Sequence, residues 1–244
     1  MNEKETLIKN RINKVIDIAK SEVGYTEKKN NITKYGTDFD TKYKGFYYGS
    51  SNPCEWCDMF FDWCMVTAFG IDLALKMLYQ PKKSYGRSCT WSYNYYKEHN
   101  SVGETPKLGA QIFFKNSKTG KICHTGRVTR IYKKNNKEYI ETVEGNKNNS
   151  VSVCNYPVSS TKIYGYGYPD YGVDIGIIES PINGTDIKKY KVIAISGLRI
   201  RKEASDKSKI IKVLPFGTEV EGTVTGNWLK VKNGYMSMKF LKEI

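Results

Sequence analysis

Two side chains in this sequence, Cys57 and His124, have the chemistry of a nucleophile and its base. A cysteine attacks as the thiolate, so it needs a group that takes its proton and a setting that favours the negative sulfur. Cys57 lies in Cys54-Glu-Trp-Cys57-Asp-Met-Phe-Phe-Asp-Trp-Cys64, where Trp56, Phe60, Trp63 and Val66 recur at helical spacing. Pro53 behind Asn52, with Glu55 three residues after the asparagine, reads as a capped helix start, and Gly70 can end the helix. Cys57 is thereby expected in the first turns of a helix over 53–69, where the partial positive charge of the helix end favours the thiolate. The chain has only two histidines. His99 sits in the polar stretch Lys97-Glu98-His99-Asn100 and reads as an exposed helix end, which leaves His124, at the entry to a predicted strand.

A base of this kind needs a third group to hold its tautomer and answer its charge. Residues 127–133 and 138–144 read as strands, and Asn135-Asn136 reads as the turn of a hairpin between them. Such a turn pairs residue 144 near residue 127. Glu144 then lies about three positions out of register with His124, roughly 10 Å at ~3.4 Å per residue before the side chains reach across. Glu144 and Asn146 are the candidates, and the charge of Glu144 favours it as the residue on the ring, with Asn146 holding the loop or the substrate.

The elements around these residues form an ordered series. Residues 6–23 predict a helix with Ile8, Ile12, Val15, Ile16 and Ala19 on one face, and residues 25–52 read as an aromatic loop. Residues 71–79 and 91–99 predict further helices, and strands are expected at 110–115, 127–133, 138–144 and 150–154, closed by Tyr164-Gly-Tyr-Gly-Tyr-Pro169. Helices first and strands after them predict an α+β domain over residues 1–172. Residues 173–188, with Gly176, Pro181, Asn183 and Gly184, read as a linker. Residues 189–244 hold six short predicted strands at 190–195, 198–201, 210–214, 218–225, 228–231 and 234–236, the pattern of a small all-β unit.

Composition narrows the function. The net charge is +14 at a pI near 9.3, and residues 189–244 carry 12 Lys and Arg against 5 Asp and Glu, a net of +7. Such a charge favours polyanions: nucleic acid, anionic membrane or the phosphate polymers of a Gram-positive wall. No apolar run reaches the length of a membrane span, and the polar opening Met1-Asn2-Glu3-Lys4-Glu5 is no secretory signal. Cys54 and Cys57 form a C-x-x-C pair, but no second ligand pair accompanies it for zinc and no strand precedes it for thioredoxin-like redox chemistry. The other cysteines read as small buried residues of a reducing compartment.

The stretches 18–25, Thr33-Lys34-Tyr35-Gly36, 56–64, Leu108-Gly109-Ala-Gln-Ile-Phe113-Phe114, His124-Thr-Gly126-Arg-Val128, Thr142-Val-Glu144-Gly145-Asn146 and Gly165-Tyr-Gly167-Tyr-Pro169 together resemble the CHAP domain. That family comprises cysteine, histidine-dependent amidohydrolases and peptidases of bacterial and phage wall-lytic enzymes. The resemblance covers residues from about 15 to 170 and implies a papain-like fold. It implies Cys57 as nucleophile, His124 as general base, Glu144 and Asn146 as the orienting residues, and an oxyanion hole using the Cys57 N–H. Trp56, Tyr35 and Trp91 are the candidate substrate-binding aromatics. One departure is Ala110, where the family usually has Asp. Some members bind calcium in a loop before the cysteine; here only Asp38 and Asp40 hint at that, so no cofactor is assigned and calcium is kept as the alternative.

Residues 189–244 resemble a bacterial SH3-type domain through Gly197-Leu-Arg-Ile-Arg201-Lys, Leu214-Pro-Phe-Gly217-Thr-Glu-Val220, Gly226-Asn-Trp228-Leu-Lys-Val231 and Gly234-Tyr-Met-Ser237. That implies a small β barrel docking on the wall. The two resemblances together imply a monomeric endolysin of phage or prophage type, made in the host cytoplasm and acting on Gram-positive peptidoglycan after release, with neither nucleic acid nor membrane insertion. The bond would be the N-acetylmuramoyl–L-alanine amide or one in the stem or cross-bridge. The alternative is a wall-binding protein with an inactive catalytic fold.

Overall fold

In the computed structural model, residues 3–84, 87–173 and 188–244 are described. The backbone packs as two units, Met1–Asp174 and Ile175–Ile244. The expected linker, 173–188, lies almost wholly outside the described residues.

The N-terminal unit begins with α1 (Glu3–Ser21), α2 (Lys34–Asp40), α3 (Cys57–Phe69), α4 (Ile71–Met77) and α5 (Cys89–Glu98). The strands β1 (Val102–Gly103), β2 (Gln111–Lys115), β3 (Ile122–Lys134), β4 (Lys137–Lys147), β5 (Ser150–Pro157) and β6 (Ile163–Gly167) follow. They form one antiparallel sheet in the order β1-β6-β2-β3-β4-β5. The unit is α+β, as the order of elements predicts.

α3 is the central helix. It is buried on every side except at Thr67 and Phe69, which is why its sequence is apolar all round instead of striped. Its polar members are satisfied internally: Tyr47 donates to Asp62 at 2.6 Å and Gln80 donates to the same carboxylate at 3.0 Å. Arg127 of β3 locks the helix to the sheet, donating to the Phe61 carbonyl at 3.2 Å with its guanidinium 3.8 Å from the Phe61 ring centroid. The same guanidinium donates to Tyr171 Oη at 2.9 Å.

The start of α3 differs from the sequence expectation. The helix begins at Cys57, not at residue 53, and Trp56 is its N-cap without a side-chain bond to the helix backbone. Asn52 is spent elsewhere: its Oδ1 accepts the Thr33 N–H at 3.1 Å and its Nδ2 donates to the Thr33 carbonyl at 3.1 Å. Glu55 closes no capping box, because its carboxylate accepts from Asn146 Nδ2 at 2.6 Å. A further helix, α2, lies where a loop is expected; Thr33 caps it by accepting the Gly36 N–H at 3.0 Å.

The C-terminal unit contains β7 (Lys188–Val192), β8 (Leu198–Arg201), β9 (Ile210–Leu214), β10 (Glu219–Thr225), β11 (Trp228–Val231), β12 (Gly234–Ser237), a 3-10 turn at Met238–Phe240 and β13 (Leu241–Glu243). Their antiparallel order is β13-β7-β10-β11-β12-β8-β9 around a core of Tyr190, Val192, Leu198, Ile200, Leu229, Met236 and Leu241. The expected closed barrel is not what the described residues form. The ladder ends on two edges, a three-residue β13 and a β9 that leaves Ile210, Ile211 and Val213 exposed.

One close approach fixes the helix against the sheet end that carries the candidate acid. A Cβ at Gly145 would meet Phe60 Cβ at 2.5 Å and Cγ at 2.8 Å. Phe60 is buried in α3 and has nowhere to retreat. Gly145→Ala is therefore expected to destabilise the N-terminal unit by about 1–3 kcal/mol through overpacking. Urea unfolding should show a lower midpoint at unchanged slope; an unchanged midpoint would mean that the helix and β4 are not held so closely.

Candidate active site

The hairpin puts the acid beside the base. Asn135 and Asn136 turn it with positive φ of 50° and 58°, and Lys134 pairs with Lys137. An irregularity between Val128 and Arg130 then shifts the register by one, so Arg127 faces Val143. Continuing that register sets Gly126 against Glu144, on the face that also carries His124. A Cβ at residue 126 would lie 2.5 Å from Glu144 Cγ. The glycine is thus the gap through which the Glu144 side chain crosses to the imidazole.

The contact is short and buried. His124 Nε2 lies 2.9 Å from Glu144 Oε2, with the His side chain 19% exposed and the Glu side chain 0%. Thr142 donates to the other carboxylate oxygen at 2.6 Å, and Lys147 Nζ stands 3.7 Å from Oε2. Burial alone would raise the Glu144 pKa, but the bonds from His124 and Thr142 outweigh it, and the carboxyl is held below its ordinary range. Burial likewise would lower His124; its hydrogen bonds to Cys57 and Glu144 reverse that and raise it to about 9. The imidazolium form is therefore favoured at neutral pH.

Cys57 is the first residue of α3 and is almost fully buried. Its thiol is lowered well below the ordinary value, first by a hydrogen bond from Cys89 and then, against the cost of burial, by His124 and the Asp58 N–H. Other thiols go the opposite way: burial pushes Cys64 up to about 12 and raises the half-buried Cys54. All six cysteines are free. A thiolate, an imidazolium and a buried carboxylate in this order can attack an amide carbonyl, protonate the leaving amine and activate water for deacylation.

The other expected residues are distributed differently. Asn146, at φ 54°, does not bond the ring but donates to Glu55, tying the end of β4 to the segment before α3. Trp56 and Tyr35, expected to bind substrate, are 0% exposed and lie inside the core. Their rings pack at 5.6 Å, Trp56 Nε1 donates to Glu27 at 2.5 Å, and Tyr35 Oη donates to Glu22 at 2.8 Å. Their polar edges brace the fold, so both are corrected to structural residues. Trp91 is 48% exposed on α5. His99 ends that helix and stacks on Tyr79 at 4.6 Å. Asp38 accepts from Trp63 Nε1 at 2.7 Å and Asp40 from the Ser51 N–H at 2.6 Å, and no cluster of three or more His, Cys, Asp or Glu suited to a metal occurs among the described residues.

A cavity of about 300 Å³ opens beside His124, lined in part by Lys115, Asn146, Lys147, Tyr156 and Lys162. Sequence reading missed these lysines, because their convergence depends on three separate strands and turns. It also gives no role to Cys89, which carries no motif of its own, or to Thr142, which stands in a quoted motif without one.

No family model matches the sequence, and no curated protein matches it. Among solved structures the chain is similar to "The crystal structure of Ly7917 with the hydrolyzing product of MDP", at 11% identity and TM-score 0.40, over 95% of this chain and 97% of that one. It is also similar to "The crystal structure of Ly7917", at 11% identity and TM-score 0.34, over 93% and 92%. Likenesses this distant carry no conclusion about fold or activity.

Glu144→Gln keeps the shape of the acid and removes its charge. Turnover of an amide substrate should fall by about 10–10³-fold, the scale of a general acid–base contribution. Without the carboxylate the His124 pKa drops, so the alkaline limb of the rate profile should move down from about 9 toward 6.5. Asn146→Ala should cost less and leave that limb in place. Rate–pH profiles of the two variants decide it; the opposite ranking would make Asn146 the residue on which the histidine depends.

Proposed function

We propose that the chain is a peptidoglycan hydrolase whose N-terminal unit is a papain-like, CHAP-type amidohydrolase and whose C-terminal unit is an SH3-type wall-binding domain. The observation that carries this reading is the His124 ring 2.9 Å from a fully buried Glu144, a ring that also lowers the Cys57 thiol. Such an arrangement serves acyl transfer from an amide: the Cys57 thiolate adds to the carbonyl, His124 gives its proton to the departing amine, and the same ring later takes a proton from water. The complete set of thiolate, base and acid favours an enzyme over a wall-binding protein with an inactive catalytic fold.

The wall as substrate rests on the sequence resemblance and on charge. Polyanionic Gram-positive walls attract a chain of net charge +14. In the C-terminal unit, Arg199, Arg201, Asp206, Trp228 and Phe240 line a cavity of about 410 Å³. Charges of both signs beside aromatic surface suit a peptide stem that carries carboxylates and amines. No helix of the described residues is long and apolar enough to cross a membrane. The endolysin role, with synthesis in a host cytoplasm and release at lysis, and action as a monomer belong to this proposal.

The test is digestion of purified Gram-positive walls with mass spectrometry of the soluble fragments. A free amine on L-alanine identifies the N-acetylmuramoyl–L-alanine amidase; a new amine within the stem or cross-bridge identifies an endopeptidase. Cys57→Ala should abolish release, because no acyl-enzyme can form, while the protein still sediments with walls. Lysis that survives Cys57→Ala would overturn the thiolate mechanism.

A further inference from the structure

The sulfur of Cys89 lies 3.5 Å from that of Cys57, and both cysteines are free and buried. Cys89 is the first residue of α5, as Cys57 is of α3. The N-termini of two helices therefore meet at one pair of sulfurs. Their separation is set by a clamp: Asp58, next to Cys57, accepts from Ser92 of α5 at 2.7 Å and from Gln111 of β2 at 2.7 Å.

Two buried sulfurs in contact cannot both carry charge without severe repulsion. The pair therefore holds at most one negative charge, and Cys57 is the sulfur whose thiol is lowered while that of Cys89 is raised. His124 acts on Cys57 and no cation among the described residues acts on Cys89, so the charge belongs to Cys57 and the proton to Cys89. We propose that Cys89 is a positioning residue of this site, whose S–H donates to the Cys57 sulfur and holds it as the thiolate that attacks the substrate. The proposal deepens the hydrolase reading and rests on it for the role of Cys57, but not for the sulfur contact itself.

The neighbouring charges agree with this division. Facing Cys57 are Cys89, the imidazolium of His124 with Glu144 behind it, the half-buried Cys54, and Asp58 on the same helix. Facing Cys89 are Cys57 and Asp58. Burial, with Asp62 close by, pushes the Asp58 carboxyl well above its ordinary range, so it opposes the thiolate less than a surface aspartate would. The contact with Cys57, with burial beside it, raises Cys89 well above the ordinary thiol value. A methyl group in its place would fill part of the space and donate nothing.

The test is the pH profile of Cys57 alkylation by iodoacetamide on the whole protein, read by mass spectrometry of the Cys57 peptide. The thiolate is the reacting form, so the midpoint of the profile reports the sulfur directly. Cys89→Ala should raise the midpoint by about one unit, equivalent to about tenfold slower alkylation on the acid side, a modest value for a hydrogen bond to a charged group. Cys89→Ser should restore most of the difference, since an O–H donates where the S–H did. In the unsubstituted protein Cys57 should be labelled before Cys89, which also decides the matter should Cys89→Ala not fold. An unchanged midpoint in Cys89→Ala, a serine variant no better than alanine, or labelling of Cys89 first would overturn the proposal. No wall substrate enters the measurement, so a protein that lyses no walls would refute the hydrolase reading while leaving this one standing.

Discussion

A carboxylate with no exposed surface must have its charge answered inside the protein, and the N-terminal unit is built around one such answer. Leaving Glu144 ionised and unpaired would cost several kcal/mol, far more than a hydrogen bond returns. His124, Thr142 and the more distant Lys147 supply the compensation. The histidine gains most from it. Its ring is favoured as the cation by the Cys57 sulfur and by the carboxylate together, and the charged ring in turn favours a thiolate on the first residue of α3. Sulfur, ring and carboxylate form a chain of dependent protonation states in which the buried acid is the fixed end.

Holding these groups in place falls to side chains that do no chemistry. Gly126 leaves room for the acid to cross its neighbouring strand, and Gly145 lets Phe60 settle on the end of β4. Arg127 pins α3 to the strand that carries His124, with its charge spread over the Phe61 carbonyl and ring and the Tyr171 hydroxyl. Asp58 ties α3 to α5 and β2. The cysteine and the histidine therefore come from different layers whose spacing is set by polar contacts as well as by apolar packing.

Much of this was legible in the sequence because it is local. Asn135-Asn136 turns the hairpin as its residue types require, which brings residue 144 close to residue 124 along the sheet, while the register shift puts the two on one face. The one-residue shift near Thr129 was not legible, since a bulge leaves no clear mark in the pattern. The start of α3 lies beyond where the sequence predicts it, because Asn52 and Glu55 have the right types for a cap but are claimed by Thr33 and Asn146, distant in sequence. Trp56 and Tyr35 carry the composition of a sugar- or peptide-binding surface, yet Glu27 and Glu22 satisfy their polar atoms inside the core. The contact between Cys57 and Cys89 depends on how two helices pack, which spacing along the chain does not encode.

The central claim is that the Cys57 sulfur and the buried Glu144 together keep His124 protonated well above neutrality. The chain has only two histidines, so a pH titration of the ring nitrogens by NMR on histidine-labelled protein resolves the one that matters, with His99 assigned by substitution. The account predicts that His124 remains an imidazolium through neutral pH, with a midpoint near 9. A ring that loses its proton at or below 6.5, the ordinary histidine value, would contradict it.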